Sequence, residues 1–339
     1  MKKFIVITGP TATGKTALSV SLAKRLNSEV ISADSMQIYK GMDIGTAKVS
    51  PHEMQGVRHH FVDIIEPNED YSVAIFQRDA LKVIDEINED GRVPIIAGGS
   101  GLYVNALVYQ LEFSKVQRND DIRQKYTKMA DDKSVEYLYN ELEKIDPKYA
   151  SIIAKQDKRR IIRRLEIIES GADTDYDFRR YNEDYEIIII GLTMPRDILY
   201  ERVNKRVDAM MELGLLQEVK SVYEKFGMTT ALKAIGYKEM IGYLDGEYDL
   251  DEAVRLVKRN TRRFAKRQLT WFKKDERIKW FDVINRQGTG DTLSDMLDYM
   301  KEKGFQHAKI NDYTSGCFSE SSPQGEGRRN NPLDERVSD

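Results

Sequence analysis

Cysteine is nearly absent from this chain of 339 residues, which contains a single one, Cys317, in a polar tail. One cysteine cannot form a disulfide within the chain, and it argues against a metal site built on cysteine ligands. A chain without disulfides is typical of a reducing compartment. We therefore expect a cytoplasmic location.

Long apolar runs are also lacking. The first apolar run covers only residues 4–7, which is too short for the apolar region of a signal peptide. No stretch of the sequence approaches the length of about 18 apolar residues that a membrane-spanning helix needs. We expect neither a secretory leader nor a membrane span.

An excess of charge of one sign is missing as well. Charged residues make up 32% of the chain, but the net charge is only −3. This balance excludes a protein that is basic all over, although it leaves room for a local basic face. Apolar residues, at 40%, are sufficient for a real core, and the length suits one large or two modest domains.

Short apolar runs alternate with helical periods in the first third of the chain. The runs at residues 4–7, 30–31, 61–65 and 93–97 predict buried strands, and the apolar spacing over 16–26 and 73–87 predicts helices. Strands that alternate with helices in this way indicate an α/β fold with a parallel sheet covered by helices on both faces.

The pattern changes after residue 113. Residues 114–185 are charge-rich with helical spacing, which predicts an inserted helical domain between two parts of the core, 1–113 and 186–308. Four consecutive isoleucines in 186–194 predict a strand that rejoins the sheet, and 278–281 predict a last strand. Residues 309–339 are polar, and we expect this tail to be disordered.

A glycine-rich segment follows the first predicted strand and precedes the first predicted helix. It matches the P-loop pattern G-x-x-x-x-G-K-[ST], in which backbone N–H groups face a polyphosphate. The lysine supplies positive charge to the distal phosphate, and the last hydroxyl is placed to ligate Mg²⁺. We predict a P-loop NTPase-like sheet whose phosphate site comprises Gly9, Pro10, Thr11, Ala12, Thr13, Gly14, Lys15 and Thr16.

The P-loop does not name a reaction, because kinases, hydrolases and some transferases share it. Asp34 follows the strand at 30–31, so it should reach the same crevice as Lys15. It could accept a proton, ligate Mg²⁺ or simply form a turn. Ser100, in the glycine-rich segment 98–103 after another strand, brings a hydroxyl to this edge, unless that segment is only a turn.

A strongly basic stretch lies near the end of the core. Residues 255–274 contain nine lysines or arginines and no acidic residue. Val257, Phe264 and Trp271 recur on what we expect to be the buried face. The opposite face either binds a polyanion or is merely solvated, and solvated faces usually mix charges of both signs. At helical spacing this basic face comprises Arg255, Arg259, Arg262 and Lys266.

Two further features of the sequence give weaker evidence for a functional role. A second basic cluster, residues 155–164, is as consistent with an ordinary surface helix as with an RNA contact. The adjacent His59 and His60 should point to opposite sides of a strand, with no third ligand nearby, so a structural role is expected for them.

Several motifs in fixed order resemble the tRNA dimethylallyltransferases, also called tRNA isopentenyltransferases. The resemblance covers about residues 4–281 and looks like a bacterial member without a zinc-finger extension. The motifs are residues 9–16, 34–39 (DSMQIY), 45–48 (GTAK), 59–63 (HHFVD), 98–103 (GGSGLY), 234–239 (AIGYKE) and 265–272 (AKRQLTWF).

The resemblance implies that the P-loop holds the pyrophosphate of dimethylallyl diphosphate, with Asp34 as general base on the adenine N6 amine. Arg202 or Arg206 would join Lys15 and a Thr16-bound Mg²⁺ in stabilising the leaving group. Ser100 stands where the family more often has threonine. The residues implied to contact tRNA, those from 159 onward at the anticodon arm, are Asp34, Ser35, Met36, Gln37, Ser100, Arg123, Arg159, Arg160, Ile161, Ile162 and Arg163.

Besides Ser100, which keeps the hydroxyl, the departures from the family lie outside these motifs. Residues 171–175 are more acidic than the turn expected after that helix. The alternatives are a small-molecule kinase using ATP, which would not need the basic helix, a non-catalytic RNA-binding protein, and a prenyltransferase of free adenine nucleotides. We expect a monomer whose partners are the tRNA anticodon arm and dimethylallyl diphosphate.

Overall fold

The computed structural model describes residues 1–109, 111, 118–171, 180–284 and 291–305. The predicted disordered tail, residues 309–339, lies outside these ranges, as do residues 172–175 of the acidic turn. None of the helices in the described ranges is both long enough and apolar enough to cross a membrane.

Among the described residues, a single sheet of six parallel strands forms the centre of the fold, with the order β3-β2-β4-β1-β5-β6. This confirms the predicted parallel α/β sheet. The four isoleucines lie in β5, which pairs with β1 over its whole length. The strands are β1 Lys2–Thr8, β2 Val30–Ser32, β3 His59–His60, β4 Ile95–Ala97, β5 Tyr185–Thr193 and β6 Lys279–Asp282.

Helices cover both faces of the sheet. Along β1, Phe4 and Val6 belong to one core cluster, while Ile5 and Ile7 belong to the other. This alternation explains the continuous apolar run, because a strand buried on both faces needs no polar side. In the described ranges the α-helices are α1 Lys15–Leu26, α2 Pro51–Met54, α3 Val73–Glu89, α4 Gly101–Val108, α5 Asp120–Asp132, α6 Val135–Ile145, α7 Pro147–Ala150, α8 Lys158–Glu169, α9 Arg196–Glu212, α10 Leu215–Phe226, α11 Tyr237–Leu244, α12 Leu250–Phe272 and α13 Thr292–Glu302.

The strand expected at residues 61–65 was placed too late in the chain. The strand β3 consists of His59 and His60 alone, and the chain then turns. Phe61 and Asp63 have φ angles of 61° and 56°, which belong to the left-handed region and cannot continue an extended strand. His60 bonds the Glu29 carboxylate at 2.6 Å, which fits the structural role expected for it.

The helical insertion builds a core of its own. Apolar residues from α5 to α8 form one buried cluster that includes Leu138, Leu142, Ile161 and Leu165. The exact domain boundaries stay a prediction, although β5 begins at Tyr185, the last residue of the predicted insertion.

A buried carboxylate ties the ends of this insertion together. Glu166 in α8 is fully buried, and it accepts hydrogen bonds from the Asn119 N–H at 2.7 Å, the Arg123 Nε at 3.0 Å and the Arg163 Nη1 at 2.7 Å. Burial alone would raise the pKa of Glu166, but these donors outweigh it and hold the pKa below its usual value.

We expect Glu166→Gln to lower the free energy of unfolding by about 1–3 kcal/mol at neutral pH, because it removes the charge that pairs two arginines. Because the pKa of Glu166 is lower in the folded protein than in the unfolded chain, its ionised form stabilises the fold at pH values above the usual pKa near 4.5. This stabilisation is lost as the pH falls through the pKa of the folded protein. The difference from wild type should therefore shrink in acid. Urea denaturation at several pH values measures it.

Glu169→Gln is the matched control. This carboxylate lies one turn later on α8 and pairs with Lys125 at the surface. Its loss should cost less than about 1 kcal/mol. An equal cost for both substitutions would contradict the assignment of Glu166 as the organising group.

Candidate functional site

The strand order brings three loops to one edge of the sheet. β4 lies between β2 and β1, so the segments after Ser32, Thr8 and Ala97 leave the sheet side by side. The Gly98 N–H donates to Ile7 O at 3.1 Å, and the Ser100 N–H donates to Ala33 O at 3.2 Å. A Cβ on Gly98 would lie 2.2 Å from Ala33 O, so only glycine permits this approach.

The P-loop wraps the N-terminus of α1 as the motif predicts. Gly9 and Gly14 have φ angles of 135° and 89°, and a Cβ on Gly9 would lie 2.4 Å from Leu192 O. These conformations need glycine. The Thr13 hydroxyl donates to Pro10 O at 2.8 Å, which closes the loop on itself. The helix dipole then points its positive end into the loop.

Lys15 turns its ammonium group back into the loop, donating to Gly9 O at 3.0 Å and to Pro10 O at 2.7 Å. Burial of this group and, to a smaller extent, nearby Arg206 together lower the pKa of Lys15 to about 7, against the opposing effect of Asp34. An incoming polyanion would favour the charged form and raise this pKa. The residue predicted to serve the phosphates is thus already in the loop that would hold them.

The structure distinguishes the two arginines that the sequence left equivalent. Arg206, on α9, donates through Nη1 to the Thr11 hydroxyl at 3.2 Å. Burial lowers its pKa, while Asp34 and Glu53 oppose that shift. Arg202 is exposed, one turn earlier on the same helix. Arg206 is therefore the arginine that reaches the P-loop.

Asp34 has both roles that the sequence suggested, because it forms a turn and also lies at the P-loop. Its Oδ1 accepts the Met36 N–H at 2.9 Å, as a turn-forming aspartate does. The same carboxylate is half-buried and close enough to Lys15 and Arg206 to affect their pKa values. The turn fixes Asp34 and leaves its charge facing the two cations.

Ser100 is joined to the segment that follows Asp34. Its hydroxyl accepts the Ser35 N–H at 3.0 Å and lies 3.3 Å from the Ser35 hydroxyl. Met36 packs against the main core, and the Gln37 amide bonds Ser32 and the backbone of Ala47. The segment from 34 to 37 is therefore held on both sides, with Asp34 and Ser100 next to one another.

A divalent cation would find few protein ligands here. Across the described ranges no group of three or more histidine, cysteine, aspartate or glutamate side chains could hold a metal. Thr16 is exposed in the first turn of α1, directly after Lys15. This fits Mg²⁺ of the kind that takes most of its ligands from substrate phosphates and water.

The basic helix α12 differs in detail from its prediction. Arg255 and Lys266 are exposed, whereas Arg259 and Arg262 are half-buried, and Arg262 donates to Asn204 on α9 at 2.5 Å. Arg255 also pairs with Glu252, just before the acid-free stretch. Two of the four predicted RNA contacts are thus partly occupied by protein.

The prediction of the buried face of α12 was also wrong in part. Val257 is buried as expected, but Phe264 is half-buried and Trp271 is 39% exposed. Trp271 lies across Gly101, where a Cβ would be 2.4 Å from its Nε1. The 3.6-residue period moves a strict seven-residue repeat around the helix, so the face that packs is Ala253, Val257, Ala265, Gln268 and Phe272.

Gln268 is the site residue that the sequence reasoning missed. Its side chain is 6% exposed; Oε1 accepts the Thr11 N–H and Nε2 donates to Gly99 O, both at 2.9 Å. The sequence carried two signals: Gln268 lies in the motif 265–272, and it is a polar, uncharged residue at an apolar position of a basic helix.

The predicted tRNA contacts in the insertion are not equally available. Ile161 and Ile162 are buried in the core of the insertion, which leaves the exposed Arg159 and Arg160 as the side chains that could meet RNA. Arg123 and Arg163 are held by Glu166 and stay about one-third exposed.

Comparison with known proteins decides the family. The model of the IPP transferase family matches residues 37–275. The chain belongs to this family. It is 48% identical over 317 residues to a tRNA dimethylallyltransferase of Carboxydothermus hydrogenoformans, covering 92% of this chain and 99% of that protein.

Solved structures agree with this membership. A tRNA isopentenylpyrophosphate transferase from Bacillus halodurans is 45% identical, with a TM-score of 0.66 over 90% of this chain and 96% of that one. A eukaryotic dimethylallyltransferase, described as acting on tRNA, is 29% identical, with a TM-score of 0.71 over 90% of this chain and 79% of the other. The P-loop NTPase-like fold predicted from the sequence is the fold of this family.

We expect the binding of inorganic pyrophosphate to raise the pKa of Lys15 and therefore to take up protons near pH 8, where the free lysine is mostly neutral. Lys15→Arg is the control, because arginine does not titrate in this range. Calorimetry in buffers of different ionisation enthalpy should show greater uptake by wild type near pH 8 and equal uptake at about pH 5.5. Equal proton uptake by wild type and Lys15→Arg at both pH values would contradict a lowered pKa of Lys15.

Proposed function

We propose that this protein transfers a dimethylallyl group from dimethylallyl diphosphate to N6 of the adenosine immediately 3′ of the anticodon in tRNA, releasing diphosphate. The observation that carries the proposal is one sheet edge at which a P-loop with Lys15 and Arg206 faces Asp34 and Ser100. The family and the names of the relatives support the same chemistry.

The donor half of this edge suits a diphosphate leaving group. Lys15 and Arg206 place two positive charges against the P-loop, and the N-terminus of α1 adds the helix dipole. As the bond between the allylic carbon and the diphosphate oxygen breaks, negative charge grows on that oxygen. Groups already fixed in place stabilise this charge without reorganising.

The acceptor half needs a group that takes one proton. The N6 lone pair forms the new bond to the allylic carbon, and a proton leaves N6. We propose that Asp34, which is held by the Met36 N–H and faces the cations, accepts this proton. Ser100, bonded to the next residue in the chain, would fix the substrate beside it.

A magnesium ion is part of the proposal. Thr16 would hold it together with the diphosphate oxygens, and the ion would supply further positive charge for the leaving group. We propose that the enzyme works as a monomer, because loops of one chain supply both halves of the site. We also propose that it works in the cytoplasm.

A small-molecule kinase was the main alternative from the sequence. The family match and the relatives do not favour it. Competition separates the two activities directly. Dimethylallyl diphosphate should compete with inorganic pyrophosphate for the P-loop and yield prenylated nucleosides on mass spectrometry of digested tRNA, whereas ATP should support no phosphoryl transfer.

We expect Asp34→Asn to fold and to bind both substrates, since the amide can still accept the Met36 N–H. The amide cannot take a proton, so the transfer rate should fall by about 10²–10⁴. Single-turnover measurements with tRNA and dimethylallyl diphosphate give this rate. An activity within about threefold of wild type would remove Asp34 from the chemical step.

We expect exposed cations of α12 to bind tRNA phosphates. Replacing Arg263 and Lys266, which are both exposed, by alanine should weaken tRNA binding. The slope of log K against log salt should shrink by about 0.7–0.9 per lost contact. Affinity for dimethylallyl diphosphate should be unchanged, because the donor lies at the P-loop.

The control is a pair of exposed lysines on other helices, Lys82 on α3 and Lys301 on α13. Their double replacement by alanine removes the same charge from elsewhere on the protein. Fluorescence titration of labelled tRNA at four or more salt concentrations compares the two. Equal effects of both pairs would mean that net charge, and not the α12 face, binds the RNA.

A further inference from the structure

Gln268 connects the two loops that the proposed reaction uses. Its amide lies between the P-loop at Thr11 and the glycine-rich loop at Gly99. The partner atom at Thr11 is a backbone N–H, which can only donate, and the partner atom at Gly99 is a carbonyl oxygen, which can only accept. The amide orientation is therefore fixed, since a flipped amide would set donor against donor and acceptor against acceptor.

Each end of the amide leads to a group of the proposed site. Thr11 accepts a hydrogen bond from Arg206 through its hydroxyl. Gly99 precedes Ser100, whose hydroxyl accepts the Ser35 N–H next to Asp34. The side chain of Gln268 thus stands in one continuous chain of contacts between the groups for the donor and those for the acceptor.

The Gln268 amide is closely packed against the glycine-rich loop. A Cβ on Gly99 would lie 2.2 Å from Nε2 of Gln268 and 3.5 Å from Gly9 O. One turn further along α12, Trp271 packs over Gly101, where a Cβ would lie 2.4 Å from its Nε1. Two adjacent turns of one helix therefore fix the glycine-rich loop relative to the P-loop.

We propose that Gln268 is a positioning residue that sets the spacing between the donor loop and the acceptor loop for transfer. This rests on the proposed function and assigns to it a residue that acts through the two loops it binds. Because a displacement of about 1 Å between reacting groups costs about 10²-fold in rate, a buried hydrogen-bonded clamp between the loops controls the rate more than the affinity.

The test separates rate from binding. In Gln268→Leu, both loops lose their partner, while Lys15, Arg206 and the basic face of α12 stay. We expect the single-turnover rate at saturating substrates to fall by about 10–100-fold. The dissociation constants of inorganic pyrophosphate and of tRNA should stay within about threefold of wild type.

Gln268→Glu is the second variant, for the case in which leucine disturbs folding. It keeps the size of the side chain and an acceptor for the Thr11 N–H, but in its ionised form it sets a carboxylate oxygen against Gly99 O. Its rate should fall as well, with folding retained on a thermal melt.

Asn88→Leu is the matched control. Asn88 is also an amide clamp, with Oδ1 accepting the Lys3 N–H at 2.7 Å and Nδ2 donating to Lys3 O at 2.9 Å. It lies at the opposite end of β1, about 20 Å of strand away from the site. It should lose stability as the Gln268 variants do, yet keep the wild-type rate.

Two results would overturn the proposal. One is a rate in both Gln268 variants within about threefold of wild type or equal to that of Asn88→Leu. The other is a rate loss that substrate saturation removes, because the residue would then act on binding. A wild-type protein that forms no prenylated nucleoside would instead overturn the proposed function.

Discussion

Parallel pairing of β1 with β4 brings the end of β1 next to the residue that follows β4, where the Thr8 hydroxyl donates to Gly98 O at 3.1 Å. The P-loop and Ser100 depend on this pairing, because the P-loop and the glycine-rich loop each begin where one of these strands ends. β2, on the other side of β4, adds Asp34 to the same edge. Glycines at 9, 98, 99 and 101 allow the approach, since a Cβ at each would meet backbone or a packed side chain.

Charge at this edge is concentrated before any substrate arrives. Lys15 and Arg206 share a partly buried space with one carboxylate, Asp34, so the free site holds an excess of positive charge whenever Lys15 is protonated. The lowered pKa of both cations reflects the free energy that this arrangement costs. A bound diphosphate would compensate the excess, so part of its binding free energy relieves a penalty built into the free protein.

The sequence predicted the sheet, the P-loop and the place of Asp34 and Ser100 because strands buried on both faces and glycine-rich turns leave strong local signals. It could not choose between Arg202 and Arg206, one turn apart on α9, since only packing decides which one turns inward. The role of Gln268 depends on loops some 170 and 257 residues away in the chain, and no local pattern carries that information. The two-residue strand β3 was misplaced for the opposite reason, because Phe61 fits an apolar run but adopts a left-handed conformation.

The pairing of β1 with β5 has a consequence for synthesis of the chain. Lys2 pairs with Tyr185, so the two strands are separated by the whole first part of the core and the helical insertion. A ribosome adds about 5–20 residues per second, which leaves β1 without this neighbour for roughly 10 s or longer. During that time a strand with four consecutive apolar residues has one unpaired edge, which makes the nascent P-loop strand prone to aggregation. The helical insertion, which closes its own core from sequence-local contacts, can fold while β1 still waits.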